Sequence, residues 1–308
     1  MNEYYPEGAL LGSPENRAAM QSVSALKEAA LKETILEARA VKCDQAHNLH
    51  VDLCGLPGII PREEGALGVE TGEVRDIALI SRVGKPVCFT VTELCRNGEG
   101  KLCARLSRRR AQEKCAADYL AALLPGDVID AQVTHMEPFG AFCDVGAGIN
   151  ALLPIDAISV SRIPHPAARF YTGQRIKAAV LNRDSLGRVT LTHKELLGTW
   201  KENAARFAVG ETVPGLIRSV EPYGVFVELT PNLAGLAEFS DRVEAGQTAA
   251  VYIKNMIPSR MKIKLVLVDV CSEKPAPQPI TYYFTGDHIS RFRYSPPECG
   301  KLVETVFY

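Results

Sequence analysis

The chain has 308 residues, 46% hydrophobic and 23% charged, with 35 Lys+Arg against 36 Asp+Glu for a formal net charge of −1. This is the composition of a folded chain with room for two or three small domains, and it excludes a wholly disordered protein. It also excludes a histone-like polycation, so any nucleic-acid contact must use local patches rather than bulk charge. Nine cysteines, an odd number without a Cys-x-x-Cys pair, fit reduced thiols in a cytoplasm better than a disulfide framework or a zinc ribbon. No apolar run reaches the ~18 residues of a membrane span. The first residues, MNEYYPEGALLGSPENR, lack the basic start and apolar core of a signal peptide. The expectation is a cytoplasmic protein with no membrane partner.

In chain order, residues 1–26 are polar and punctuated by Pro and Gly, and read as a flexible segment. Residues 27–106 hold short alternating runs broken by Gly and Pro, the pattern of a small all-β unit. Residues 107–124 (SRRRAQEKCAADYLAALL) are rich in helix formers and read as a helical connector. A second β unit covers 125–193, a second helical connector 194–208, and a third β unit 209–271. A tail, 272–308, opens with a proline-rich linker at 273–279.

The β units are copies of one another. Residues 126–145 (GDVIDAQVTHMEPFGAFCDV) align without a gap on 210–229 (GETVPGLIRSVEPYGVFVEL). The first copy is degenerate: residues 49–53 (LHVDL) fall on 141–145, 58–61 (GIIP) on 151–154 (ALLP), and 100–105 (GKLCAR) on 187–192 (GRVTLT). Side chains on a strand alternate faces with period two. Ala141, Cys143 and Val145 then point into a core, as do Val225, Val227 and Leu229, and Leu49, Val51 and Leu53. The opposite face carries Phe142 with Asp144, Phe226 with Glu228, and His50 with Asp52, in or near water. Three residues before each of these rings stands another: Phe139, Tyr223 or His47. An exposed ring pair on a polar strand face is a stacking platform for unpaired bases. Arg188, with Lys101 and Lys262 at the matching positions, supplies a cation beside the rings. In the last copy Lys254, Arg260, Lys262 and Lys264 form a local basic stripe.

At these residues the chain resembles the S1 domain family of RNA-binding repeats, across roughly residues 30–270 in three copies. The most specific stretches are 133–146, 171–181 (YTGQRIKAAVL) and 184–192 (DSLGRVTLT). The resemblance implies an all-β fold of three tandem five-stranded OB-fold barrels joined by short helical connectors. It implies an RNA face built of two aromatics, a histidine, an aspartate and an arginine. The middle copy keeps Phe139, Phe142, Asp184 and Arg188, with Pro154 at the histidine position. The last keeps Tyr223 and Phe226, with Glu238 at the histidine position, Lys262 at the arginine position and Ile257-Pro258 near the aspartate position. The first offers His47, His50, Asn97 and Lys101, with Pro61 at the histidine position. The implied function is binding of single-stranded RNA, mRNA included, with the small ribosomal subunit as a further partner. A protein-interaction scaffold, or a regulatory RNA chaperone, is the alternative on the same fold.

Other motifs carry less. His47 and His50 would point to opposite strand faces unless His47 lies in the preceding turn, and no second ligand pair is near except Cys43, which disfavours a metal site. Residues 146–151 (GAGINA) match a dinucleotide fingerprint in letters but precede an extended LLP run instead of opening a helix. Residues 98–101 (GEGK) lack the first glycine and the hydroxyl residue of a phosphate loop. No nucleophile–base–acid set is evident, so neither catalysis, a cofactor nor a small-molecule substrate is expected. The tail interleaves aromatics and arginines at 281–294, which would suit another single-strand contact, but docking of its rings on the preceding domain is the favoured expectation.

Overall fold

The computed structural model describes residues 4–98, 100–271 and 279–308. Apart from Pro279, the proline-rich linker expected at 273–279 lies outside the described residues. The described chain falls into two compact units. One spans residues up to 123 with 130–132 and 144–150; the other holds the remainder of the chain to Tyr308.

Three closed five-stranded barrels are present. The first uses β1 (Leu36–Cys43), β2 (Leu49–Leu53), β3 (Leu56–Ile60), β4 (Pro86–Arg96) and β5 (Leu102–Ser107). The middle barrel uses β6 (Val128–Glu137), β7 (Gly140–Asp144), β8 (Asn150–Pro154), β9 (Arg175–Arg183) and β10 (Val189–Thr192). The last uses β11 (Thr212–Glu221), β12 (Gly224–Thr230), β13 (Leu233–Ala237), β14 (Thr248–Ile257) and β15 (Lys262–Cys271). All three follow one cycle: the first three strands pair in sequence, the third lies parallel to the fifth, and the fourth closes the ring between the fifth and the first. This is the OB-fold arrangement, which leaves no open sheet edge.

The inward residues are as the alternation requires except Leu229, which falls at a register shift between Glu228 and Thr230 and is only partly buried. Leu49, Val51, Leu53, Ala141, Cys143, Val145, Val225 and Val227 are all buried. Of the outward carboxylates, Asp52 is exposed as expected, but the other two are not solvated. Asp144 and Glu228 are 2% and 7% exposed, against the expectation that both stand in or near water. Each is covered by a polar neighbour from elsewhere in its own unit. Asp144 accepts the backbone N–H groups of Glu7, Gly146 and Gly148 at 2.7, 2.9 and 3.0 Å. Glu228 takes Arg218 as a two-pronged partner at 2.8 and 2.9 Å, and Arg169 at 2.8 Å. A period-two pattern tells which side of a strand a residue occupies, but not what lies over that side.

The N-terminal segment also departs from expectation. Instead of a flexible 1–26, helices form over Pro14–Met20 and Val23–Leu31, each begun by a serine whose hydroxyl accepts a first-turn N–H. Met20, Leu26 and Ala29 sit in the core of the first barrel with Leu36, Phe89 and Leu106. The Asn16 amide pairs with both backbone groups of Glu37 (2.8 and 2.9 Å), which it satisfies from its side chain. The Glu37 carboxylate in turn accepts the N–H groups of Gly8, Leu10 and Leu11. Side-chain caps of this kind satisfy backbone donors that a polar, loop-like sequence would otherwise leave to water.

The first connector is helical, an α-helix over Arg108–Lys114 that runs into wider and tighter turns to Ala122. The second is split. A short 3-10 turn at Lys194–Leu197 stops at Gly198, whose φ is 84°, and Thr199 then caps a new helix, Trp200–Ala204, through a reciprocal bond with Glu202. In the tail, β16 (Arg291–Arg293) pairs with β17 (Glu304–Val306). The tail docks on the preceding barrel only in part: the Tyr294 hydroxyl donates to the Asn232 carbonyl there at 2.7 Å, whereas Tyr282 Oη accepts the Lys177 N–H on β9 of the middle barrel at 2.9 Å. All nine cysteines are free thiols.

Tyr282 also roofs His193, which is buried between edge contacts to Phe170 and Tyr282 and bonded through Nδ1 to the Ile158 carbonyl at 3.0 Å. Burial, with a contribution from Arg169, pushes its pKa down to about 4. An unfolded histidine takes its proton near pH ~6.5. Between those values protons bind the unfolded chain alone, so stability is lost as pH falls through this window, by up to about 3 kcal/mol. His193→Gln should flatten that loss: the urea midpoint of the variant should drop less between pH 7 and pH 4 than the wild-type midpoint. Equal drops would show that His193 does not carry it.

Candidate nucleic-acid interface

The middle and last barrels present the same ring geometry. Phe139 and Phe142 meet edge to face, centroids 6.0 Å apart at 90°. Tyr223 and Phe226 repeat this at 6.1 Å and 85°. The first ring of each pair sits in the turn between the first two strands and is well exposed, Phe139 at 56% and Tyr223 at 68%. The second lies on the outer face of β7 or β12, half-buried. A glycine between them lets the strand approach its neighbour: a Cβ at Gly140 would stand 2.6 Å from the Leu153 carbonyl, and one at Gly224 2.5 Å from that of Ala237.

Register places a further row beside the rings of the last barrel. Ser219, Phe226, Leu236, Lys264 and Asn255 are successive cross-strand partners around the outer face. Lys264 is therefore two strands from Phe226 at the same height, with exposed Leu236 between them. Lys262 is exposed on the same face of β15, one residue pair toward the turn. Such cross-strand neighbours are in side-chain reach.

Asp184 and Arg188 do not act as separate groups. They close the turn between β9 and β10, with the Arg188 guanidinium 2.7 Å from the Asp184 carboxylate. The backbone N–H and then the side chain of Arg188 hold the Asp184 carboxyl below the usual carboxylate range. Asn97 and Lys101 make the backbone counterpart of this turn in the first barrel, where the Lys101 N–H donates to the Asn97 side chain at 2.9 Å. In the last barrel a 3-10 turn at Pro258–Arg260, ended by Met261 at φ 49°, replaces it.

The first barrel is different. His47 is paired with Asp76 at 3.0 Å and His50 with Asp44 at 2.9 Å. His47 sits in the loop before β2 at φ 62°. Both rings are tethered through a nitrogen to a carboxylate, unlike the ring pairs of the other two barrels. The outer row here reads Lys42, His50, Ile59, Arg105 and Glu93. Lys42 and Arg105 are thus neighbours of His50 that sequence spacing alone does not single out, because bulges in β1 and β4 shift the register. The GAGINA stretch lies in the turn from β7 into β8, with Gly146 and Gly148 bonded to Asp144, and opens no helix.

Residues 124–194, the middle barrel with its flanks, match the family model described as the S1 RNA binding domain. The middle barrel is an S1 domain. Over 55–78% of its length the chain is similar to small ribosomal subunit proteins bS1. The bS1 homolog of Bacillus subtilis is 30% identical over 234 residues, 70% of this chain and 58% of that protein. The bS1 of Mycolicibacterium smegmatis is 30% identical over 258 residues, 78% of this chain and 50% of its own. That of Leuconostoc lactis is 31% identical over 187 residues, 55% and 43% respectively. The chain spans about half the length of these relatives. Among solved structures, a Streptococcus pneumoniae multidomain protein with nucleic acid binding domains aligns over 77% of this chain and 74% of its own, at 14% identity and a TM-score of 0.25. So low a superposition says nothing of how the barrels are arranged. No helix among the described residues is long and apolar enough to cross a membrane.

Proposed function

We propose that this chain binds single-stranded RNA, mRNA included, on the outward ring faces of its S1 domain and last barrel, and that it works with the small ribosomal subunit in the cytoplasm. The observation that carries this is the ring pair repeated in two barrels with the same edge-to-face geometry and the same exposed first ring. Burial would not select an exposed ring at one position twice. Base stacking contributes ~1–3 kcal/mol per base without regard to sequence, so sequence preference should be weak. The reading includes the division at 27–106, 125–193 and 209–271, and binding without catalysis. The first barrel, whose rings are engaged by Asp44 and Asp76, is assigned to protein contacts.

Fluorescence anisotropy with a labelled A/U-rich 20-mer tests this. If three or four cations such as Lys254, Lys262 and Lys264 meet phosphates, affinity should fall roughly 15- to 50-fold between 50 and 200 mM salt through counterion release. Absence of binding at low salt and micromolar protein would overturn the proposal and favour the scaffold reading.

A further inference from the structure

We infer that His135 is a third base-contacting ring of the middle barrel, set beside Phe142 and taking the face of an unpaired nucleobase. The inference rests on the reading of that barrel as an RNA platform. His135 lies on the outer face of β6 with its side chain 64% exposed. Its ring is nearly parallel to that of Phe142, 6.3 Å between centroids and 22° between planes. It does not swing freely, because Nε2 is 2.6 Å from the Glu137 carboxylate, also on β6. A histidine that needed only solvation would have no reason to align its plane with a neighbouring phenylalanine.

The position explains the alignment. In the last barrel the matching residue is Ser219, and Ser219 is the direct cross-strand partner of Phe226. In the first barrel the partner of His50 is Lys42. The residue at this point therefore stands next to the second ring, across the strand pair, on the face that Phe139 or Tyr223 overhangs. Only the middle barrel fills it with a ring. There, His135 and Phe142 widen the flat surface sideways while Phe139 bounds it edge-on. Histidine faces stack on unpaired bases as other aromatics do. The substrate class is the base of a single strand, and the added ring makes this barrel the stronger of the two platforms.

The test uses the full chain. His135→Ala should weaken binding of the A/U-rich 20-mer roughly 5- to 10-fold, the lower end of what one stacked base contributes. Phe142→Ala should weaken it at least as much. His135→Trp should bind at least as well as wild type. Because the single native tryptophan, Trp200, is buried, the emission of the new indole reports on its own surroundings and should be quenched as RNA is added. Two results overturn the inference while leaving the platform standing. One is wild-type affinity in His135→Ala beside a weakened Phe142→Ala. The other is unquenched emission from the His135→Trp indole at saturating RNA, which would reduce His135 to a support for Phe142. If Phe142→Ala binds like wild type, the platform reading itself fails and the inference falls with it.

Discussion

Replacing Arg108 with methionine should destabilise the first compact unit by about 3–5 kcal/mol, the cost of leaving a buried charge without its partner. Arg108 is 3% exposed and Glu7, its partner, 4%. Nε of Arg108 is 2.7 Å from one Glu7 oxygen and Nη2 3.1 Å from the other, with Arg82 at 2.8 Å on the second oxygen and the Cys88 N–H at 3.1 Å on the first. Burial would raise the Glu7 carboxyl, but Arg108 and Arg82 outweigh it and hold the group below its ordinary range. Glu7 also donates its N–H to Asp144, so one residue anchors both the start of the chain and the loop 144–150. There is no slack around it: a Cβ on Gly148 would stand 2.0 Å from Arg108 Nη2. Denaturant unfolding of the full chain, with amide exchange followed in β4 and β5, measures the effect. The double variant Glu7→Gln/Arg108→Met should recover part of the loss, since it also removes the buried carboxylate that Arg82 alone would be left to balance. An Arg108→Met protein within about 0.5 kcal/mol of wild type would mean that water reaches Glu7.

This network marks the limit of what can be read from the letters. The three barrels are legible because each strand buries one face, so Leu49, Ala141 and Val225 repeat a two-residue period that survives sequence drift. The ring pairs are legible for the converse reason: Phe139, Phe142, Tyr223 and Phe226 break that period in the same way twice. What is hidden depends on contacts distant in sequence. Glu7 reads as one charge in a polar leader, and its partner Arg108 lies 101 residues away. Asp144 and Glu228 read as solvated because alternation assigns a side, while the Glu7 N–H and Arg169 that cover them come from other elements. His135 escapes notice for a related reason. Its role depends on strand pairing with Phe142, and register across a sheet is not written in the spacing of either strand. Arg188 reads as a cation beside the rings, whereas its nearest partner is Asp184 four residues earlier.

Truncating all four rings, Phe139→Ala/Phe142→Ala/Tyr223→Ala/Phe226→Ala, should cost the largest share of RNA affinity of any surface change, about 10²- to 10³-fold on a 20-mer. Either pair alone should cost about 10-fold or more. The reason for the difference is linkage. Most of the middle barrel, including Phe139 and Phe142, shares one compact unit with the last barrel. The two barrels are tied by the buried Arg169–Glu228 pair and by Asn232, whose side chain accepts the Val160 N–H and donates to the Lys194 and Gly198 carbonyls. A strand long enough to reach both platforms makes its second contact at high effective concentration, so losing one pair removes that advantage along with the stacking itself. A 6-mer, confined to one platform at a time, should show no such coupling, and its affinity should follow the better barrel. The comparison of the two lengths is therefore the sharper measurement. If the 20-mer and the 6-mer lose affinity by the same factor in each pair variant, the barrels bind independently. If the quadruple variant retains wild-type affinity with its circular dichroism unchanged, the rings are not the interface, and the lysine row through Lys262 and Lys264 must carry the RNA without them.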